Sequence, residues 1–188
     1  MRRYSSALVV MGTFLLVVAV AWGQPGVHGS VHHAYRVVTV VEGLEVPWSM
    51  AFLPDGEMLV TERPGRLRIV RNGRLLAGPV SGVPAVFAEG QGGLFDVVLH
   101  PDFATNRLIY LSFAKPSGEG STTAVVRARF QDDQLTDVEE IFEAVAQGRG
   151  HYGGRLAFDA QGFLYVTAGD RMAPPAGDLE THPAQDLS

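Results

Sequence analysis

The sequence contains no cysteine. A disulfide framework is therefore excluded, as is lipid attachment through an N-terminal cysteine, and an exported chain of this kind must rely on a hydrophobic core. Lysine is nearly absent, Lys115 being the only one, so arginine carries almost all of the positive charge. The formal net charge is −5 and no basic run could track phosphates, which argues against a nucleic-acid partner. HExxH, spaced His/Cys clusters and the EF-hand loop are missing, so no metal-ligand pattern is legible. The glycine-rich segments lack both the GxGxxG spacing and the Walker lysine, and no GxSxG element suggests a serine hydrolase.

The N-terminus carries a targeting pattern. Arg2 and Arg3 precede an uncharged run from Ala7 to Trp22, and Ala21-Trp22-Gly23 supplies small residues at a cleavage-site spacing. The run falls short of the roughly 20 apolar residues of a spanning helix, so cleavage leaves no stable membrane span. We expect a signal peptide at 1–23, a linker at 24–36 and one domain at 37–188, in a periplasmic or secreted protein.

The body of the chain repeats. Strand-forming runs at Val37–Val41, Ser49–Leu53, Met58–Thr61 and Leu67–Arg71 alternate with the turn signals Pro54-Asp55-Gly56 and Asn72-Gly73. A second set comprises Leu94–Leu99, Leu108–Phe113, Ala124–Phe130 and Glu139–Phe142, lengthened by a loop around Pro116-Ser117-Gly118-Glu119-Gly120. A third begins with Arg155–Phe158 and Phe163–Thr167. The openings Ala51-Phe52-Leu53-Pro54-Asp55-Gly56, Val97-Val98-Leu99-His100-Pro101-Asp102 and Leu156-Ala157-Phe158-Asp159-Ala160-Gln161 align, at the spacing of four-stranded propeller blades of roughly 40–50 residues. The expected fold is all-β, an incomplete β-propeller arc of two to three blades. A ring needs at least four, so the chain reads as the N-terminal part of a longer protein.

Two glycine-flanked polar residues occupy the same point of the repeat, ahead of a strand. One is Gln91, in Gly90-Gln91-Gly92-Gly93-Leu94, and the other is His151, in Gly150-His151-Tyr152-Gly153-Gly154. Loops held by a rigid sheet are frequent sites of chemistry. A neutral imidazole suits removal of a hydroxyl proton, and an amide suits recognition of a quinone or sugar oxygen. Equally, His151 is compatible with a loop histidine bonded to a carbonyl, and Gln91 with a polar turn residue. Arg155 is suited to pairing with a carboxylate or to a solvated face, and Asp170 to capping a turn.

Together, Val46-Pro47-Trp48-Ser49-Met50-Ala51-Phe52-Leu53-Pro54-Asp55-Gly56, Gly90-Gln91-Gly92-Gly93-Leu94, His100-Pro101-Asp102-Phe103, His151-Tyr152-Gly153-Gly154-Arg155-Leu156 and Ala184-Gln185-Asp186-Leu187 resemble the soluble pyrroloquinoline-quinone-dependent aldose sugar dehydrogenases, also called glucose/sorbosone dehydrogenases. The resemblance implies a six-bladed propeller with the quinone at the wide end of its channel. It implies that His151 is the general base that takes the anomeric hydroxyl proton of an aldose, hydride passing to the quinone and on to an external electron acceptor, with a lactone as product. Gln91 corresponds to a glutamine contacting cofactor or substrate, and Gln185 to a further site glutamine. Some members carry an aspartate immediately before the base, where this chain has Gly150. The residues that pair with the quinone's carboxylates, and the calcium ligands, are expected beyond Ser188, so this chain by itself is expected to be inactive. A secreted metal-dependent propeller lactonase and a non-catalytic extracellular binding propeller are the competing readings.

Overall fold

The computed structural model describes residues 27–118 and 120–172, divided into two compact units at Thr39 and Val40. The expected signal peptide lies outside the described residues. In the first unit, β1 (Val27–Gly29) and β2 (Ala34–Arg36) form a short antiparallel hairpin. The Ser30 hydroxyl closes its turn, accepting the His33 N–H at 3.0 Å.

The second unit is built of consecutive antiparallel meanders. The first sheet runs in order through β3 (Pro47–Phe52), β4 (Met58–Glu62), β5 (Arg66–Arg71) and β6 (Arg74–Leu75). The second comprises β7 (Leu94–Leu99), β8 (Leu108–Ser117), β9 (Gly120–Gln131) and β10 (Gln134–Glu143), again hydrogen-bonded in chain order. A third starts with β11 (Gly153–Phe158) and β12 (Leu164–Ala168). One short helix, α1 (Phe103–Asn106), follows the His100-Pro101-Asp102 turn. There the His100 ring nitrogen Nδ1 accepts the Asp102 N–H at 3.0 Å and lies 2.8 Å from the Asn106 amide.

The turn signals behave as their chemistry requires. Asn72 and Gly73 both take positive φ, 52° and 71°, which is what a two-residue hairpin turn with the correct twist demands. The expected strand at Val37–Val41 is absent, and Val37, Val38 and Val40 are exposed. Branched side chains favour a pleated surface only where a neighbouring strand supplies it. The first sheet takes its fourth strand from Arg74–Leu75 instead. The lengthening at 116–120 is likewise not a loop. β8 and β9 continue as a paired ladder to Ser117 and Gly120, making a long hairpin that stands above the rest of its sheet.

Packing explains the order of the sheets. β7 lies between β3 on one side and β11 on the other, so the opening strands of successive sheets stand side by side. Leu59, Leu67, Ile69, Leu94, Val97, Ile109, Leu111 and Val126 fill the space between the first two sheets. On the other face of the second sheet, Tyr110, Val125 and Leu156 pack with Phe142, Phe158 and Val166. Val125 and Val126 thus serve opposite faces, the period-two consequence of a pleated strand, and a sheet covered on both sides reads as a continuous buried run. Each fully buried Leu or Ile contributes about 1.5–3 kcal/mol. The outward faces of the arc remain apolar and open, with Met50 and Phe52 exposed on β3, Tyr165 on β12 and Phe163 just ahead of it. A cavity of about 560 Å³ beside β3 is lined by Val40, Leu44, Trp48, Met50, Phe52 and Met58.

Candidate active site

The long β8–β9 hairpin builds the platform for His151. Its hydroxyl-bearing residues Ser121, Thr122 and Thr123 are buried and point their oxygens at the chain that leads into the histidine loop. Thr122 Oγ1 donates to the carbonyls of Ala144 at 2.6 Å and Ala146 at 2.8 Å, Ser121 Oγ to that of Gly148 at 3.0 Å, and Thr123 Oγ1 to that of Tyr152 at 2.8 Å. The Tyr152 hydroxyl sits 2.5 Å from Ser121 Oγ, and its ring packs tilted at 5.4 Å on Phe95 of β7, which in turn meets Trp48 of β3 at 5.6 Å. The loop is therefore pinned on both sides of the histidine while the imidazole stays 52 % exposed.

Gln91 and His151, 60 residues apart, meet directly. The His151 backbone N–H donates to Gln91 Oε1 at 2.8 Å. The Gln91 loop is itself held from the first sheet, where Arg63 Nη1 donates to the carbonyls of Gly90 at 2.8 Å and Gly92 at 3.0 Å. With Oε1 so engaged, the Gln91 amide is oriented with its NH2 as the group left to donate outward.

His151 Nδ1 lies 2.7 Å from Asp170 Oδ1, an oxygen that also accepts the Met172 N–H at 3.0 Å. An ionised carboxylate only accepts, so the proton of the neutral ring resides on Nδ1 and the lone pair is left on Nε2. This is the arrangement by which a carboxylate orients a catalytic imidazole. Asp170, read from the sequence as a turn cap and a weak site candidate, is thus brought against His151. At position 150 a Cβ would lie 2.3 Å from Met172 Sδ, so a side chain there would require the exposed Met172 to move aside. The orienting carboxylate comes instead from 19 residues downstream. His151 itself adopts φ 48°, a left-handed conformation uncommon for non-glycine residues and concentrated at functional sites.

Arg155 belongs to a different feature, on β11, the strand that follows the His151 loop. Its Nη1 donates to Asp96 Oδ1 at 3.0 Å and its guanidinium lies 4.8 Å over the Trp48 ring. Asp96 is 1 % exposed and also accepts the Ser49 hydroxyl and the Leu156 N–H, the latter at 2.8 Å, so one carboxylate ties β3, β7 and β11 together. Gln185 lies outside the described residues. Asp96, Arg63 and the Ser121–Thr123 hydroxyls have no signature in the sequence, since each acts on a partner more than 20 residues away.

Consecutive four-stranded meanders whose opening strands stand side by side define the class as an incomplete β-propeller arc, with the His151 loop beside the opening strands. More specifically, the chain belongs to the glucose/sorbosone dehydrogenase family, whose sequence signature matches residues 44–188. Aldose sugar dehydrogenase YliI of Escherichia coli K12 is 39 % identical over 187 residues, covering 96 % of this chain and 48 % of that protein. The crystal structure of the apo-form soluble aldose sugar dehydrogenase from Escherichia coli superposes with a TM-score of 0.67 at 44 % identity, covering 73 % of this chain and 42 % of that one. The PQQ-bound aldose sugar dehydrogenase from Streptomyces coelicolor does so with a TM-score of 0.65 at 31 % identity, covering 73 % and 42 %. The chain spans less than half the length of the curated relatives it matches.

Proposed function

We propose that this chain carries the proton-accepting side of a site that oxidises aldose sugars to lactones with pyrroloquinoline quinone, in a periplasmic or secreted protein. The observation that supports it most is the His151–Asp170 pair at 2.7 Å with Gln91 held against the same loop. His151 Nε2, freed by the Nδ1–Asp170 bond and exposed, takes the proton of the anomeric hydroxyl. Asp170 holds the ring and stabilises the imidazolium that forms. Gln91 donates its amide hydrogens toward the quinone or the sugar oxygen, and Gln185 is proposed as a second contact. When bound, the quinone supplies the acceptor for the hydride leaving C1, and an external electron acceptor then removes the two electrons.

The residues present fit the reactive end of such a cofactor: an exposed base, a pre-oriented amide and glycine-flanked loops open to a flat ligand. They do not include a cluster of three His, Asp or Glu suited to a metal ion among the described residues. We propose that a calcium site and cations pairing with the quinone's carboxylates belong to parts of the family's propeller that this chain, which spans less than half the length of its curated relatives, does not match. Among the described residues no helix is long and apolar enough to cross a membrane.

The experiment is dye reduction by an aldose with added quinone and calcium. This chain alone is expected to give no turnover. A protein carrying this chain followed by the blades its relatives possess is expected to turn over and to lose activity on His151→Ala. Full activity in that variant removes His151 from the mechanism, and turnover by the chain alone that His151→Ala abolishes refutes the split of the site.

A further inference from the structure

Behind His151 lies a buried arginine that proton transfer does not use. Arg171 is 3 % exposed. Its Nη1 donates to three carbonyls at once, those of Gly169 at 2.8 Å, His151 at 3.0 Å and Tyr152 at 3.3 Å, and its Cζ lies 5.6 Å from the Tyr152 ring centre. Its other nitrogens, Nε and Nη2, are buried without a hydrogen-bond partner among the described residues. Burial holds the guanidinium below its ordinary pKa, against the attraction of Tyr152 and Asp170. Among the described residues the guanidinium is held through Nη1, whose three carbonyl contacts offset part of the cost of burying it.

What Nη1 gathers is a strained crossing of two backbones. His151, Arg171 and Met172 all take positive φ, at 48°, 58° and 61°. The two chains approach so closely that a Cβ on Gly169 would stand 1.9 Å from the His151 carbonyl oxygen. Tyr152 O has other donors, the Thr123 hydroxyl at 2.8 Å and the Gly169 N–H at 3.2 Å. The carbonyls of His151 and Gly169 converge on Arg171 Nη1. Strained conformations persist only when their surroundings over-determine them.

We infer that Arg171 is a positioning residue that clamps the His151 loop to the Gly169–Asp170 segment and so delivers the Asp170 carboxylate to His151 Nδ1. Its bearing on turnover rests on the reading of His151 as the base; its bearing on loop geometry does not.

The test is residue-resolved amide hydrogen exchange on the full chain, comparing Arg171→Met, which keeps the stem and removes every donor, with Arg171→Lys, which restores a cation with three hydrogens. In Arg171→Met the His151 and Gly169 amides are expected to exchange about tenfold faster or more, while amides of β4 and β8 keep their protection. Arg171→Lys is expected to recover most of the protection. Unchanged exchange in Arg171→Met overturns the inference, as does a uniform loss across all strands or a lysine variant no better protected than methionine. Because no turnover is read, a failure of His151→Ala to affect activity leaves this result standing, and an unchanged exchange pattern sinks the clamp without touching the role of His151.

Discussion

Replacing Asp96 by alanine removes a buried carboxylate that joins three strands, and the size of the effect follows from what it leaves behind. The Leu156 N–H, bonded at 2.8 Å and buried, loses its acceptor, a desolvation cost of about 1–3 kcal/mol. The Ser49 hydroxyl loses its partner as well, at about 1 kcal/mol. Arg155 is 59 % exposed, so the lost ion pair contributes little more than about 0.5 kcal/mol after solvent screening. The sum is about 2.5–4.5 kcal/mol, which at a urea slope of roughly 2 kcal/mol/M lowers the unfolding midpoint by about 1.3–2.3 M. Asparagine keeps a carbonyl for the Leu156 N–H but sets an amide donor against the Ser49 and Arg155 donors, so Asp96→Asn is expected to cost about half as much. Urea unfolding followed by circular dichroism measures both. An alanine variant within about 0.5 kcal/mol of the parent refutes the view that this carboxylate pins the third sheet to the first two.

Three further outcomes are expected. Burial pushes the Glu62 carboxyl up, but the Glu45 N–H and the Arg66 and Arg68 guanidiniums outweigh it and hold the pKa below the usual glutamate range. Glu62 therefore contributes stability above the ordinary value of about 4.3, lost as pH falls through its depressed folded-state value, and the gap in urea midpoint between parent and Glu62→Gln should shrink from pH 7 to pH 3. Gly169→Ala places a Cβ 1.9 Å from the His151 carbonyl and should lower the thermal midpoint by several degrees in a calorimetric scan. Arg63→Ala removes both bonds that fix the carbonyls flanking Gln91, and amide exchange across 90–93 should accelerate about tenfold while β8 stays protected.

Much of the architecture was legible because it is local. Alternating apolar residues and the Pro54-Asp55-Gly56 and Asn72-Gly73 signals placed β3, β4 and β5 within a residue or two of where they lie. Val37–Val41 misled because strand propensity says nothing about whether a partner strand is present. Pro116–Gly120 misled because its glycines and proline read as a loop, whereas they close a long hairpin whose tip supports the histidine. The site divides in the same way. Gln91 and His151 stand out by their glycine neighbours, but nothing in the sequence says that the first accepts the backbone N–H of the second. Asp170 was visible as a turn residue and a weak site candidate, and Asp96, Arg63 and Arg171 were invisible, since a carboxylate or guanidinium reveals its purpose only through partners that folding brings from elsewhere. Ser121, Thr122 and Thr123 look like polar surface and are in fact buried donors to carbonyls.

Everything proposed for His151 requires a bare Nε2 facing solvent, with the ring proton held on Nδ1 by Asp170. Long-range nitrogen–proton correlation on the ring of His151, recorded in the neutral form, measures this without any cofactor. The predicted spectrum shows a protonated Nδ1 and an unprotonated Nε2, a preference that Asp170→Asn weakens or abolishes. A ring protonated on Nε2, or a tautomer indifferent to Asp170→Asn, contradicts the assignment of His151 as the base.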